Sequence, residues 1–314
     1  VLLVPNTNHI VSIPSANFVF NKKDLKIINA NMFVDNIKTS VSGKVVNLNS
    51  KPILDTAVII PKNSSFPIKG YKGSRIVVDG VINLRGNLDS PQIKGVINLS
   101  QISIPTLSTY IQNATFKMDK EITFTCPNLK IANSLISINS KINKDLSKGI
   151  VAKDVDFTAD NIDLNLLGPI LKSLQNSSDS SITVLNGKSK IGRFKVGGIV
   201  STNITSNSAI ENNILYLNKM FADAYLGKIA GNISYDFDAR RTKLNLQGRG
   251  LTSSPALMAL TSRDDDIHGV LDFDSNILFA GYTKGEILKS LKGNTQFIIS
   301  NGKMGVLGKF EHLL

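Results

Sequence analysis

Tryptophan is missing from the 314 residues, and aromatics of all kinds make up only 6%. Proteins that hold single-stranded nucleic acid need stacking platforms, and little is present to build them. The net charge of +12, from 36 basic and 24 acidic residues, would suit an anionic partner. Its lysines, however, are scattered among Asn, Ser and Asp with no dense basic run, which argues against nucleic acid. There is one cysteine, Cys126, so neither an intramolecular disulfide nor a Cys-based zinc site can form. Preceding Pro127, it reads as a small buried or edge residue. The three histidines, His9, His268 and His312, lack paired metal-ligand spacing. Long hydrophobic runs are absent as well. The apolar opening VLLV is far shorter than a secretion signal or a membrane span. The chain opens without Met and is expected to be a fragment of a longer protein.

Catalytic motifs are missing too. Gly187-Lys188-Ser189 resembles the end of a phosphate-binding loop, but Ile182 stands where the first glycine belongs. The run Arg263-Asp264-Asp265-Asp266 beside His268 lacks the alternation and closing Glu of a calcium loop and predicts a solvated turn. No nucleophile elbow and no dinucleotide fingerprint occurs. The expectation is a protein that is not an enzyme and uses no cofactor and no metal.

What the chain has is period-two alternation. In KLNLQ (243–247), Leu244 and Leu246 share one face, and Lys243, Asn245 and Gln247 the other. In GVLDFDSNI (269–277), Leu271 and Phe273 oppose Asp272 and Asp274. The phrase GVINL occurs twice, at 80–84 and 95–99, with Ile82 and Leu84, then Ile97 and Leu99, on one face. QFIIS (296–300) pairs Phe297 with Ile299. Alternate side chains of a pleated strand point to opposite faces, so each stretch is a strand with one greasy and one wetter side. Gly86-Asn87, Gly197-Gly198, Gly231-Asn232 and Asn301-Gly302 read as turns between strands. The segments 42–60 and 79–99 share a Gly, a strand, a Pro-centred turn and another strand, with Pro52 and Pro91 as the turn prolines. Such a repeat suits a sheet that grows by adding hairpins.

Three stretches carry helical spacing instead. They are 164–178, with Leu167, Ile170, Leu171 and Leu174; 253–262, with a Ser254 cap and Pro255; and 283–293, with Ile287, Leu288 and Leu291. Each is too short to be stable alone, so each is expected to pack on the sheet as a plug or lid. The predicted class is mainly β, a long repeating antiparallel sheet with a few short amphipathic helices.

The order of phrases in the C-terminal part resembles the C-terminal region of AsmA-like proteins. The residues concerned are Leu251, Leu257 to Leu260, Gly269 to Asp274, Gly281, Glu286 to Gly293, Phe297 and Gly302. LRGNLDSPQIKGVINL (84–99) is similar to a phrase of the related TamB-type proteins. The resemblance implies two segments: 1–155, a repeating β-groove, and 156–314, an AsmA-like C-terminal region continuous with it. It implies a curled, taco-like β-groove with an apolar interior. It also implies a periplasmic protein of a diderm bacterium, anchored in the inner membrane. The implied function is phospholipid transport toward the outer membrane and outer-membrane biogenesis. The implied partners are phospholipid acyl chains, the inner and outer membranes, and envelope assembly proteins. The expected groove-lining set is Ile82, Leu84, Ile97, Leu99, Leu244, Leu246, Leu271, Phe273, Phe297 and Ile299. The alternative is a non-catalytic β-scaffold for outer-membrane protein or envelope assembly. From alternation alone, the favoured reading of the same stripe is the packed core of a sandwich; the resemblance is what turns part of it into a groove.

Overall fold

The computed structural model describes residues 2–3, 10–34, 37–68, 71–143, 150–163, 166, 182–196, 198–261, 267–281 and 284–304. The chain is mainly β, with two short α-helices among the described residues. It divides into two compact units. The first holds residues 1–130 and 141–144; the second holds 131–140 and 145–314.

The first unit is an antiparallel meander. Its strands are β1 (Leu2–Leu3), β2 (Ile10–Phe20), β3 (Leu25–Val34), β4 (Ile37–Val46), β5 (Ile53–Phe66), β6 (Arg75–Asn87), β7 (Gln92–Ile104), β8 (Thr109–Met118) and β9 (Ile122–Ile131). From β1 to β8 each strand pairs antiparallel with the next. The repeat seen in the sequence is a structural one. Asn47-Leu48-Asn49-Ser50 and Asn87-Leu88-Asp89-Ser90 close two hairpins alike. Ser50 N–H donates to the Asn47 carbonyl at 3.0 Å, and Ser90 N–H to that of Asn87 at 3.1 Å. The two GVINL copies pair with each other across the second of these turns. Gly80 faces Ile97, Val81 faces Val96, and Ile82 faces Gly95. The turn itself is residues 88–91, so Gln92 to Lys94 belong to β7.

The second unit contains β10 (Ser134–Ile142), β11 (Ile150–Asp163), β12 (Ile182–Val196), β13 (Ile199–Glu211), β14 (Ile214–Ala224), β15 (Gly227–Asp236), β16 (Arg241–Thr252), β17 (Ile267–Ala280) and β18 (Lys292–Met304). From β12 to β18 every pairing is antiparallel. β11 and β12 are parallel, with Ile150 beside Ile182 and Asp163 beside Lys195. A parallel pair needs a long crossover, which residues 164–181 are long enough to supply. The helix predicted at 164–178 lies outside the described residues. The other two predicted helices are present: α1 (Ser253–Thr261) and α2 (Lys284–Ser290). α1 packs against β13, β16 and β17, and α2 against β17. α1 starts one residue before the expected cap, and the Ser253 hydroxyl donates to the Ile267 carbonyl at 2.9 Å, tying the helix to β17.

Two of the four predicted turns are not turns. Gly231-Asn232 lies inside β15 and Asn301-Gly302 inside β18. Gly231 has φ of +154°, and a Cβ there would fall 2.0 Å from the Asn245 carbonyl oxygen. Glycine is used here to let neighbouring backbones approach and the sheet bend, not to reverse the chain. Asparagines serve a related purpose. Asn113, Asn186 and Asn203 have φ between 54° and 57° within strands, as do Asp154 at 49° and Lys219 at 50°. Asn and Asp tolerate this region better than other residues with a Cβ. Each extra residue makes a bulge, and a bulge changes which face the next residue occupies. Likewise His268, expected in a turn, is the second residue of β17, opposite Lys303.

Candidate functional site

Register determines what shares a face, because residues directly opposite in an antiparallel pair point to the same side. In the first unit, Ile82 lies between Val58 and Gly95, and Val58 opposes Val41, which opposes Ala30. Ile97 lies between Gly80 and Phe116, and Leu99 between Val78 and Ala114. Leu84 lies between Thr56 and Ile93. The sequence therefore placed Ile82, Leu84, Ile97 and Leu99 on a common face, and the hairpin brings them together. The other face is mixed: Ile59, Val81 and Val96 oppose one another on it and are 39%, 42% and 37% exposed, beside charged and amide side chains. Asp55 lies between Lys44 and Arg85, with Arg85 Nε 3.2 Å from Asp55 Oδ1, and Asn83 opposes Lys94.

Bulges keep the apolar face apolar. Leu99 and Ile102 are three residues apart, yet they oppose Val78 and Ile76, which are two apart. The extra residue, Ser100, turns Ile102 onto the side of Leu99. β8 matches it with Asn113, so Ile111 and Ala114 stay in line with Ile102 and Leu99. β3 does the same between Ile27 and Ala30. Plain alternation misses Ile102, Ile111 and Ile27, because the period breaks just where the fold requires it. Val41, Val58 and Phe116 were within reach of the parity argument.

The face is not sealed. Ile82, Leu84, Ile97 and Leu99 are all half-buried, as are Val41, Val58, Ile60 and Phe116. Val78 and Ala114 are buried. Same-sheet neighbours about 4.8 Å away shield the flanks of a side chain, and only a second layer covers its tip. Among the described residues of this unit the only helical segment is a single 3-10 turn, Pro105–Leu107. At the β2 margin Phe18 and Phe20 stand 60% and 67% exposed.

The second unit treats its apolar face differently. Leu244 opposes Ile233 and Ile277; Leu246 opposes Gly231 and Ser275. Both leucines are half-buried. Leu271 opposes Leu251 and Ile299 and is buried with Leu251, Ala256 and Ala224. Ala256 comes from α1, so the helix closes this end of the sheet. Leu271, expected to line an open face, is part of a packed cluster. Phe273 and Ile299 pack against that cluster. The Phe273 ring occupies the space above Gly248, where a Cβ would meet ring carbon Cε1 at 2.1 Å. Phe297 opposes Phe273 but is 63% exposed, and its neighbour Ile298 is 68% exposed. Parity gives the face; it does not say which part a helix covers.

Titratable groups lie elsewhere. Cys126 is buried, and desolvation raises its thiol pKa, which makes it a poor nucleophile. Asp223 is held below the usual carboxylate range, chiefly by Asn203, whose Nδ2 donates to Oδ2 at 2.8 Å, and then by Lys228. Asp119 is lowered by Lys94, 3.1 Å away. These are exposed surface pairs. No helix among the described residues is long and apolar enough to cross a membrane.

No protein-family model matches the chain, and neither the curated proteins nor the solved structures contain a match to it.

Proposed function

We propose that the chain is a lipid-carrying segment of an AsmA-like envelope protein, in which phospholipid acyl chains lie along the apolar sheet face. One observation carries this. The face running from Val41 through Val58 and Ile82 to Ile97 and Phe116 is continuous and apolar, yet its large side chains are only partly buried. A core strand in a sandwich would have its inward side chains covered by a second sheet. Two acyl chains carry about 30 methylenes, so leaving them in water costs on the order of 20 kcal/mol. An aliphatic face lowers that cost by contact alone and needs no catalytic group. Its side chains need only parity and size, which explains why a chain so poor in chemical motifs is so regular in pattern. The periplasmic setting, inner-membrane anchoring and direction toward the outer membrane belong to the same proposal and rest on the resemblance.

The test is site-specific photocrosslinking in the full chain, expressed in a diderm bacterium. A photoreactive residue replaces Ile82 or Leu99 on the apolar face, or Asn83 on the opposite face. Mass spectrometry of the adducts is expected to find phospholipid at the first two and none at Asn83. Equal capture on both faces, or none at Ile82 and Leu99, overturns the proposal.

A further inference from the structure

The opposite face of the second unit carries an alignment that lipid transport does not use. Asn232 faces Asn245, Asn245 faces Asn276, and Asn276 faces Asn294, one asparagine on each of β15 to β18. Two more extend the row: Asn207 faces Asn218 on β13 and β14. At the β14 bulge, Lys219 N–H donates to Asn232 Oδ1 at 3.0 Å and joins the two parts. Asparagine is disfavoured in strand interiors. Four in register across β15 to β18, with two more beyond the β14 bulge, are therefore not accounted for by sheet formation.

The four asparagines of β15 to β18 line a shallow hollow of about 440 Å³, which Gln247, Asp274 and Gln296 also border. Glycines shape it. Gly231 and Gly293 sit beside the row on its two outer strands, and a Cβ on either would lie 2.0 or 2.1 Å from the carbonyl of Asn245 or Asn276. The hollow is close to neutral, because Arg249 Nη2 holds the Asp274 carboxylate at 2.8 and 3.1 Å. In the neighbouring row, Phe221 opposes Ala230 at the edge of the hollow and is 60% exposed. The face also carries exposed Ile298 and Leu278 farther along β18 and β17, but Phe221 is the bare aromatic ring next to the band of neutral amides.

We propose that this hollow binds a saccharide chain. Each amide offers two donors and an acceptor, which match the mixed donor and acceptor character of sugar hydroxyls. The exposed ring of Phe221 offers a surface for the C–H face of a pyranose. The volume falls in the range of small-molecule sites. Lys243 and Lys292, two residues from Asn245 and Asn294 on the same face, would favour acidic sugars over neutral ones.

The test uses the full chain on an array of neutral and acidic oligosaccharides, followed by calorimetry with cellohexaose and hexagalacturonate. Binding of at least one sugar is expected. It should weaken roughly tenfold or more in Phe221→Ala and in the double variant Asn245→Ala/Asn276→Ala, the loss of about one good contact. All three positions are exposed, so the variants should keep the wild-type melting temperature. Cellohexaose binding identifies a neutral chain. Hexagalacturonate binding that also depends on Lys243 identifies an acidic one. The proposal is overturned if no sugar binds, if both variants bind as wild type does, or if acidic sugars are displaced equally by inorganic polyphosphate. Tighter binding of oligothymidylate through the same residues also overturns it.

Discussion

Gly80 sits directly opposite Ile97, and a Cβ on Gly80 would fall 2.4 Å from the carbonyl oxygen of Val96. The mirrored pair is Gly95 opposite Ile82, with 2.3 Å to the carbonyl of Val81. Each GVINL copy supplies the glycine that its partner's isoleucine covers. The repeated phrase is therefore a self-complementary hairpin, in which Gly and Ile have to recur together.

Gly80→Ala is expected to destabilise the protein by about 1–3 kcal/mol, the range for forcing volume into a closed contact. The obstacle is neighbouring backbone, which cannot rotate away as a side chain could. Urea unfolding followed by circular dichroism measures it. Gly73→Ala is a different control: no neighbour lies within 4 Å, so its cost comes from the positive φ of 74° alone.

A charge on the apolar face should cost different amounts in different places. Leu271→Glu places a carboxylate in the cluster under α1 and is expected to unfold that end of the second unit. Ile82→Glu and Leu246→Glu enter partly buried positions with no helix over them among the described residues and should leave a cooperative, folded protein. Melting curves decide. If Ile82→Glu unfolds the chain as Leu271→Glu does, the face of the first unit is a closed core.

Truncating Leu251 or Leu271 to Ala should cost about 2–5 kcal/mol, as for buried leucines elsewhere. Ser253→Ala should cost about 1–3 kcal/mol, because the part-buried bond from the buried Ser253 hydroxyl to the Ile267 carbonyl is lost. Hydrogen exchange is expected to localise both losses to α1 and the start of β17.

Acid should weaken the protein through Asp119 and Asp223. Both have folded pKa values below the ordinary 3.8. Their contribution is complete above the ordinary carboxylate range and is lost as pH falls through the lowered folded values. Asp119→Asn/Asp223→Asn should therefore be less stable than wild type at pH 7, and the gap should close as pH falls through the lowered folded values. The difference at pH 7 should shrink in 1 M salt, since both pairs are exposed.

Cys126 should react slowly with a thiol reagent in native buffer and quickly in urea. Burial raises its pKa and blocks approach. Fast native labelling would show that the β9 region opens readily.

Much of the first unit was legible in the residues. Alternation in the two GVINL copies, together with the Asn and Pro turns, specified strands and hairpins, because a two-residue period admits no other regular structure. The helices at 253–261 and 284–290 were legible from their spacing. Gly231-Asn232 was misread as a turn because a bend within a strand and a reversal of the chain ask the same freedom of glycine.

The sequence by itself determined the class of structure, the alternation of each uninterrupted strand segment, and the absence of recognisable catalytic motifs, since these depend on local spacing and residue type. Only the tertiary structure decided which strands are neighbours, and hence that four asparagines line up across β15 to β18. It also decided that Leu271 lies under a helix while Ile82 does not. Bulges are the physical reason. One residue inserted at Ser100 or Lys219 inverts the face of everything after it, and only pairing with the next strand shows where the inversion falls.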